Sequence, residues 1–76
     1  MGEFLTHIEI RANGKLIARS RAGNDEGGEI VLTDVEPTGA AEVVVGGNYT
    51  IIANGRQTTV MCVRKEATYT YFRIIT

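Results

Sequence analysis

Residues 51–56 read Ile-Ile-Ala-Asn-Gly-Arg, and residues 10–15 carry nearly the same hexapeptide, Ile-Arg-Ala-Asn-Gly-Lys. Asn-Gly between alternating apolar residues is the strongest short-range signal for a β-hairpin, because a type I′ turn needs positive φ at both central positions. Glycine adopts positive φ without a steric penalty, and asparagine tolerates it. The two hexapeptides therefore predict two tight hairpins within an antiparallel, β-rich domain.

Around the first turn, Ala12 is expected opposite Lys15 and Ile10 opposite Ile17. Side chains of the first strand are expected to alternate between two faces. One face carries Phe4, Thr6, Ile8 and Ile10, and the other carries Leu5, His7, Glu9 and Arg11. The returning strand, 15–21, ends in charged residues, as edge strands often do. A flexible acidic loop over 22–28 and a third strand over 29–35 are expected to follow.

Around the second turn, Ile51 is expected opposite Thr58 and Tyr49 opposite Val60. Apolar residues on both faces of this hairpin are typical of a central position in the sheet. A charged loop over 64–67 leads to a last strand over 68–75. One face of that strand carries Thr68, Thr70, Phe72 and Ile74, and the other carries Tyr69, Tyr71, Arg73 and Ile75.

The segment 37–47 supports two interpretations. As a helix it would begin near Pro37, stop at Gly46-Gly47 and pack Ala40, Ala41, Val43 and Val44 inward. The run Glu42-Val43-Val44-Val45 instead favours a strand, because β-branched residues prefer extended backbone. The fold class predicted is all-β, a small barrel or sandwich of hairpins, and the alternative is α+β with one short helix near 37–45. In either case residues 1–76 form a single domain.

The hexapeptide recurs at an interval of 41 residues, as it would in a duplicated half-domain. At that interval Ile17 aligns with Thr58 and Arg19 with Val60, so the halves diverge outside the turn. The divergence favours independent selection of the same turn chemistry, and the two explanations remain open at the level of sequence.

A chain of 76 residues with one cysteine and 43% apolar residues has a small core and no disulfide. Small domains of this kind gain stability by self-association, so a homo-oligomer is expected. A lone thiol fits a reducing compartment, and the amino-terminal residues lack the pattern of a signal peptide or a membrane span. We therefore expect a cytoplasmic protein without a membrane partner.

Charge is segregated along the chain. Residues 22–46 contain six carboxylates and no lysine or arginine, whereas each flanking region is net basic. The pattern predicts either patches for a partner or simple pairing across adjacent strands, and the second is favoured. The net charge of −1 argues against a nucleic acid as the partner, because nucleic-acid-binding domains are typically basic.

Residues that could carry catalysis are scarce. The chain has one histidine, one serine and one cysteine, His7, Ser20 and Cys62, and nothing in their spacing resembles a catalytic or metal-binding motif. We therefore expect no enzyme activity, no metal and no cofactor. The remaining candidate is a set of aromatic and guanidinium groups near the carboxyl terminus that could stack on a ligand or contact a partner: Tyr69, Tyr71, Arg73, Arg56 and Arg64.

The carboxyl-terminal third resembles the closing strands of a family of small uncharacterised bacterial domains that end in a strand with tyrosine and arginine. The resemblance is carried by residues 47–51 and by Val60, Val63, Tyr69, Tyr71 and Arg73. It implies a small bacterial or phage protein. The function expected is an accessory or inhibitory protein that sequesters a protein or an anionic small ligand. The alternatives are a phage particle or assembly component and a module for single-stranded nucleic acid or nucleotides.

Overall fold

A computed structural model describes residues 2–39 and 41–75 and contains seven strands in these ranges. The strands are β1 (Glu3–Ala12), β2 (Lys15–Glu26), β3 (Glu29–Thr33), β4 (Glu36–Pro37), β5 (Asn48–Ala53), β6 (Arg56–Glu66) and β7 (Tyr69–Ile74). All their pairings are antiparallel, in the ring order β1–β5–β6–β7–β3–β2, and β2 pairs with β1 to close a six-stranded barrel. The short β4 lies beside β2. The all-β prediction is confirmed.

The barrel interior is filled by apolar side chains. Tyr49 and Phe72 meet edge to face with their ring centroids 6.4 Å apart. The largest fully buried side chains come from five of the six barrel strands: Ile8, Ile10, Ile30, Leu32, Ile51, Val60, Cys62 and Phe72. Packing of this kind excludes water from the centre of the barrel and leaves the outer surface of the strands for contact with other molecules.

Both Asn-Gly turns have the predicted conformation. The φ angles are 54° at Asn13 and 78° at Gly14, and 51° at Asn54 and 76° at Gly55. The residues on either side of each turn pair with each other, Ala12 with Lys15 and Ala53 with Arg56. The expected pairs of Ile51 with Thr58 and Tyr49 with Val60 are also present.

The first hairpin departs from the predicted alternation. His7 has a φ of 51°, and the strand changes face there, so that Leu5 is buried with Ile8 and Ile10 while Phe4 is 63% exposed. A β-bulge at Ile17 places Ala18, and not Ile17, opposite Ile10. The predictions of a regular strand and of that pair were wrong because a single irregular residue reverses which face is buried.

Two predicted loops belong to strands. Residues 22–26 continue β2 and pair with β3, so β2 is longer than expected and is not an edge strand, and only Gly27 and Gly28 form the turn. Residues 64–66 likewise continue β6, and the turn follows at Ala67. Charged residues and glycine are typical of loops, but the charged residues of these two segments lie at exposed or half-buried positions that a strand tolerates, and Gly23 is buried within β2.

The segment between β4 and β5 is neither helix nor strand from residue 41 to residue 44, and Ala40 lies outside the described residues. Val43 packs into the core, and its carbonyl accepts a hydrogen bond from Lys65 Nζ at 3.0 Å. The amide of Val44 donates to Tyr49 Oη at 2.9 Å. The α+β alternative and the favoured strand over residues 42–45 were therefore both wrong, because side chains bind the backbone groups that a helix or sheet would use.

The barrel has a pseudo-two-fold axis. Its six strands form two meanders, β1–β2–β3 and β5–β6–β7, and exchanging each strand with its counterpart leaves the ring order unchanged. The registers follow the same exchange, because Ile10 pairs with Ile51 between β1 and β5, and Val31 pairs with Tyr71 between β3 and β7. The axis passes through these two pairs.

The bulge at Ile17 explains why the repeat is hard to see in the sequence. Ala18 pairs with Ile10, and Thr58 pairs in the same way with Ile51, so Ala18 and Thr58 are counterparts in the two halves. They are 40 residues apart, whereas Ile10 and Ile51 are 41 residues apart, because the bulge adds one residue to the first half. Counterparts aligned in this way are buried alike: Ile8 with Tyr49, Ile10 with Ile51, Ser20 with Val60, Ile30 with Thr70, and Leu32 with Phe72. The register favours a duplicated half-domain over independent selection of two turns.

Candidate binding face

The outer side of β7 carries three of the predicted site residues. Tyr69 is 46% exposed, Arg73 is exposed and Tyr71 is half-buried, whereas the alternate residues Thr70 and Phe72 are buried. The predicted alternation of this strand is confirmed. We call the outward surface of Arg64, Tyr69, Tyr71 and Arg73 the tyrosine face.

Arg64 joins this surface through a second bulge. The register of β6 and β7 shifts between Cys62 and Arg64, so Arg64 lies opposite Tyr71 in the place that Val63 would otherwise take. Its guanidinium carbon stands 4.1 Å from the centre of the Tyr71 ring, and its Nε is 3.5 Å from Glu66 Oε1. A guanidinium over a tyrosine ring forms a cation–π contact that holds both groups in place.

Arg56 is not part of the tyrosine face. It is the first residue of β6, whereas Arg64 lies near the last residue of that strand. Its guanidinium forms an ion pair with Glu3. Asn54 also donates to Glu3, at 3.1 Å. The hydrogen bonds from Asn54 and Arg56 lower the pKa of the Glu3 carboxyl. Arg56 therefore ties the second turn to the first strand, and its expected grouping with Tyr69 and Tyr71 was wrong.

A shallow groove of about 300 Å³ runs beside the two tyrosines. Across β2, β3, β7 and β6, one row of outward residues consists of Asn24, Val31, Tyr71 and Arg64. The groove is lined by Asn24, Glu26, Glu29, Val31, Tyr69 and Tyr71. The sequence predicts a flexible loop over residues 22–28, so Glu26 and the acidic side of the groove are not among the expected site residues. Asn24 and Glu26 face outward and Gly23 faces the core, but an alternation over so few residues does not identify a strand in the sequence.

A second groove, of about 380 Å³, lies on the outer side of the first hairpin, where His7, Arg19 and Arg21 meet Glu9 and Glu36. Arg19 stands opposite Glu9 on one neighbouring strand and opposite Glu36 on the other. The groove holds two arginines and two carboxylates, so its formal charges cancel, and Glu9 is also paired with Arg11 on its own strand at 2.9 Å. Among the described residues its lining includes the imidazole of His7 but no phenylalanine, tyrosine or tryptophan, so the tyrosine face is the stronger candidate.

Three residues could take part in a nucleophilic reaction, and two of them, Ser20 and Cys62, are buried. Ser20 is buried, and its hydroxyl donates to the Thr33 carbonyl at 2.7 Å. Cys62 is buried in the core, and burial raises the pKa of its thiol. His7 is exposed on the outside of the barrel. Within the described part of the chain, no cluster of three potential ligand residues is placed to hold a metal ion.

Comparison with known protein families, with curated protein sequences and with solved structures gives no match. The resemblance of the carboxyl-terminal third to small bacterial domains stays a prediction. Within residues 2–39 and 41–75, no helix has the length and apolar character that crossing a membrane requires.

Proposed function

We propose that the protein is a non-catalytic binding protein that sequesters a partner protein through the tyrosine face, as a bacterial or phage accessory or inhibitory factor. The observation that carries the proposal is the stack of Arg64 on Tyr71 beside the exposed ring of Tyr69. Tyrosine and arginine are enriched at the energetic centres of protein interfaces. A stacked pair on a rigid sheet also loses little side-chain entropy when a partner binds.

The shape and charge of the surface favour a protein over an anionic small ligand. The groove beside the tyrosines is shallow, whereas small-molecule sites usually enclose most of the ligand. Glu26 and Glu29 line it and would repel an anion. These carboxylates also weigh against the phosphates of a nucleic acid.

We further propose that the protein acts as a homo-oligomer in the cytoplasm. Several large apolar side chains are exposed outside the tyrosine face: Phe4, Val44, Val45 and Ile75. Burying them against a second copy would add apolar contact to a small core. Light scattering at micromolar concentration should give the mass of a dimer or a larger assembly, and the mass of a monomer would refute this part of the proposal.

A second candidate function, a structural or assembly component, is favoured by the turn after Val43. Val44 and Val45 are 50% and 58% exposed, and the turn is fixed by hydrogen bonds from Gly46 and Gly47 to the carbonyls of Cys62 and Val44. A rigid apolar projection suits insertion into a neighbouring subunit. In that case the contacts would centre on this turn and not on the tyrosine face.

The test compares capture of host proteins by immobilised wild-type protein and by the double variant Tyr69→Ala with Arg73→Ala. Both residues are exposed, so the variant should fold. The control is Gln57→Ala with Thr59→Ala, two exposed positions on β6. The proposal predicts that a specific protein is captured by wild type and control and lost with the tyrosine-face variant. Equal capture by all three would overturn it.

A further inference from the structure

The groove beside the tyrosine face combines aromatic rings with two carboxylates at one end. Glu26 and Glu29 are cross-strand neighbours on either side of the Gly27-Gly28 turn, and both side chains are exposed. Like charges placed directly opposite each other destabilise a sheet. Among the described residues, no lysine or arginine nitrogen lies within 4.0 Å of either carboxylate, although Arg73 stands opposite Glu29 on β7.

The pseudo-two-fold axis shows what is different about this groove. The axis passes through Val31 and Tyr71, and it relates Arg64, which lies opposite Tyr71, to Asn24, which lies opposite Val31. On the β6 side the arginine covers the tyrosine ring. On the β2 side the short, neutral side chain of Asn24 leaves the groove open. A guanidinium is thus supplied on one side of the axis and missing on the other.

We infer that this groove binds an arginine side chain of the partner protein. The inference rests on the proposed function and deepens it by naming the chemistry of the partner. The guanidinium stacks against Tyr69 and Tyr71 and directs its N–H groups to Glu26 and Glu29. A planar guanidinium combines both contacts, because it stacks on aromatic rings and donates paired hydrogen bonds to carboxylates.

The acidic end and the basic edge of the surface give the partner an orientation. Arg64 and Arg73 lie on β6 and β7, and Glu26 and Glu29 lie on β2 and β3. A complementary segment therefore presents arginine over the groove and a carboxylate toward β6 and β7. Charge complementarity of this kind fixes the register of a partner more than it adds affinity.

The test uses N-acetyl-arginine amide as the probe and follows backbone amide and tyrosine ring signals by NMR. N-acetyl-citrulline amide, which has the same shape and no charge, is the control probe. A single arginine on an exposed groove should bind with a Kd of about 1–10 mM. We expect saturable shifts at residues 24–31 and 69–71 with the arginine probe and none with the citrulline probe. No saturable shift with the arginine probe would overturn the inference.

A matched pair of variants assigns the binding to the groove. Glu26→Gln with Glu29→Gln should weaken the arginine probe about tenfold, because the charge-assisted hydrogen bonds are lost. Glu36→Gln with Glu42→Gln changes the net charge equally, involves exposed residues elsewhere and should leave binding unchanged. Equal weakening by both pairs would overturn the inference.

Inorganic phosphate separates this inference from the proposed function. Saturable shifts at Tyr69 and Tyr71 with phosphate, and none with the arginine probe, would overturn the arginine site. Host-protein capture that still depended on Tyr69 and Arg73 would then leave the binding face standing.

Discussion

Single residues with positive φ determine where this chain turns and where its strands change face. The two Asn-Gly pairs do so with residues that accept the conformation at little cost. His7, Asp34 and Ala67 do so without being glycine, at φ values between 48° and 51°. A sequence pattern predicts the former and misses the latter, because a histidine within an alternating strand carries no turn signal.

The two turn glycines provide a prediction at the same scale. A Cβ added at either glycine would meet no atom within 4 Å. A larger residue is therefore unfavourable there only because of the positive φ, and not because of a steric clash with neighbouring residues. Gly14→Val and Gly55→Val should each lower the free energy of unfolding by about 2 kcal/mol. Because β2 is not an edge strand, the two losses should be similar. Urea midpoints test this, and a loss confined to Gly55→Val would contradict the two-fold equivalence of the hairpins.

At the scale of elements, much of the architecture could be predicted from the sequence. Alternation identified the inward residues of β5, β6 and β7, and with them the outward positions of Tyr69, Tyr71 and Arg73. The bulges at Ile17 and Val63 could not be predicted, because a bulge depends on the neighbouring strand as much as on its own sequence. The acidic side of the groove was missed for a related reason, since the glycine and carboxylates of residues 23–26 are typical of loops.

The face change in β1 depends on His7, which leads to a prediction for that strand. His7→Gly should retain or raise the free energy of unfolding, because glycine adopts a φ of 51° without strain. His7→Val should lower it by about 1–2 kcal/mol, since a β-branched residue resists that conformation. Urea denaturation of both variants gives the comparison. Equal stability of the two would mean that His7 does not hold this conformation in solution.

At the scale of the whole molecule, neither half can close a barrel alone. Each meander needs the other at two seams, β1 with β5 and β3 with β7. Core positions on both sides of the seams are buried alike, whereas the outward residues differ, with Asn24, Glu29 and Val31 in one half and Arg64, Tyr69 and Tyr71 in the other. The barrel thus keeps a symmetric interior, and its outer face at the axis is asymmetric.

This division predicts that the chain can be split between its halves. Cleavage after the exposed Gly39 leaves every barrel strand intact. The two fragments should be largely unfolded alone, because each exposes half of a core, and should restore the native circular dichroism spectrum when mixed in equal amounts. A folded single fragment or a mixture without native signal would contradict the account of two mutually dependent halves.

The barrel should be stable without the exposed side chains of Tyr69 and Arg73, which leaves the tyrosine face available to a partner. The melting temperature of the Tyr69→Ala, Arg73→Ala double variant tests this most directly, before any partner is identified. We expect a value within a few degrees of wild type, because both side chains are exposed and neither contributes to the core. A fall of more than about 10 °C would show that the face stabilises the fold or a subunit contact, and would contradict the claim.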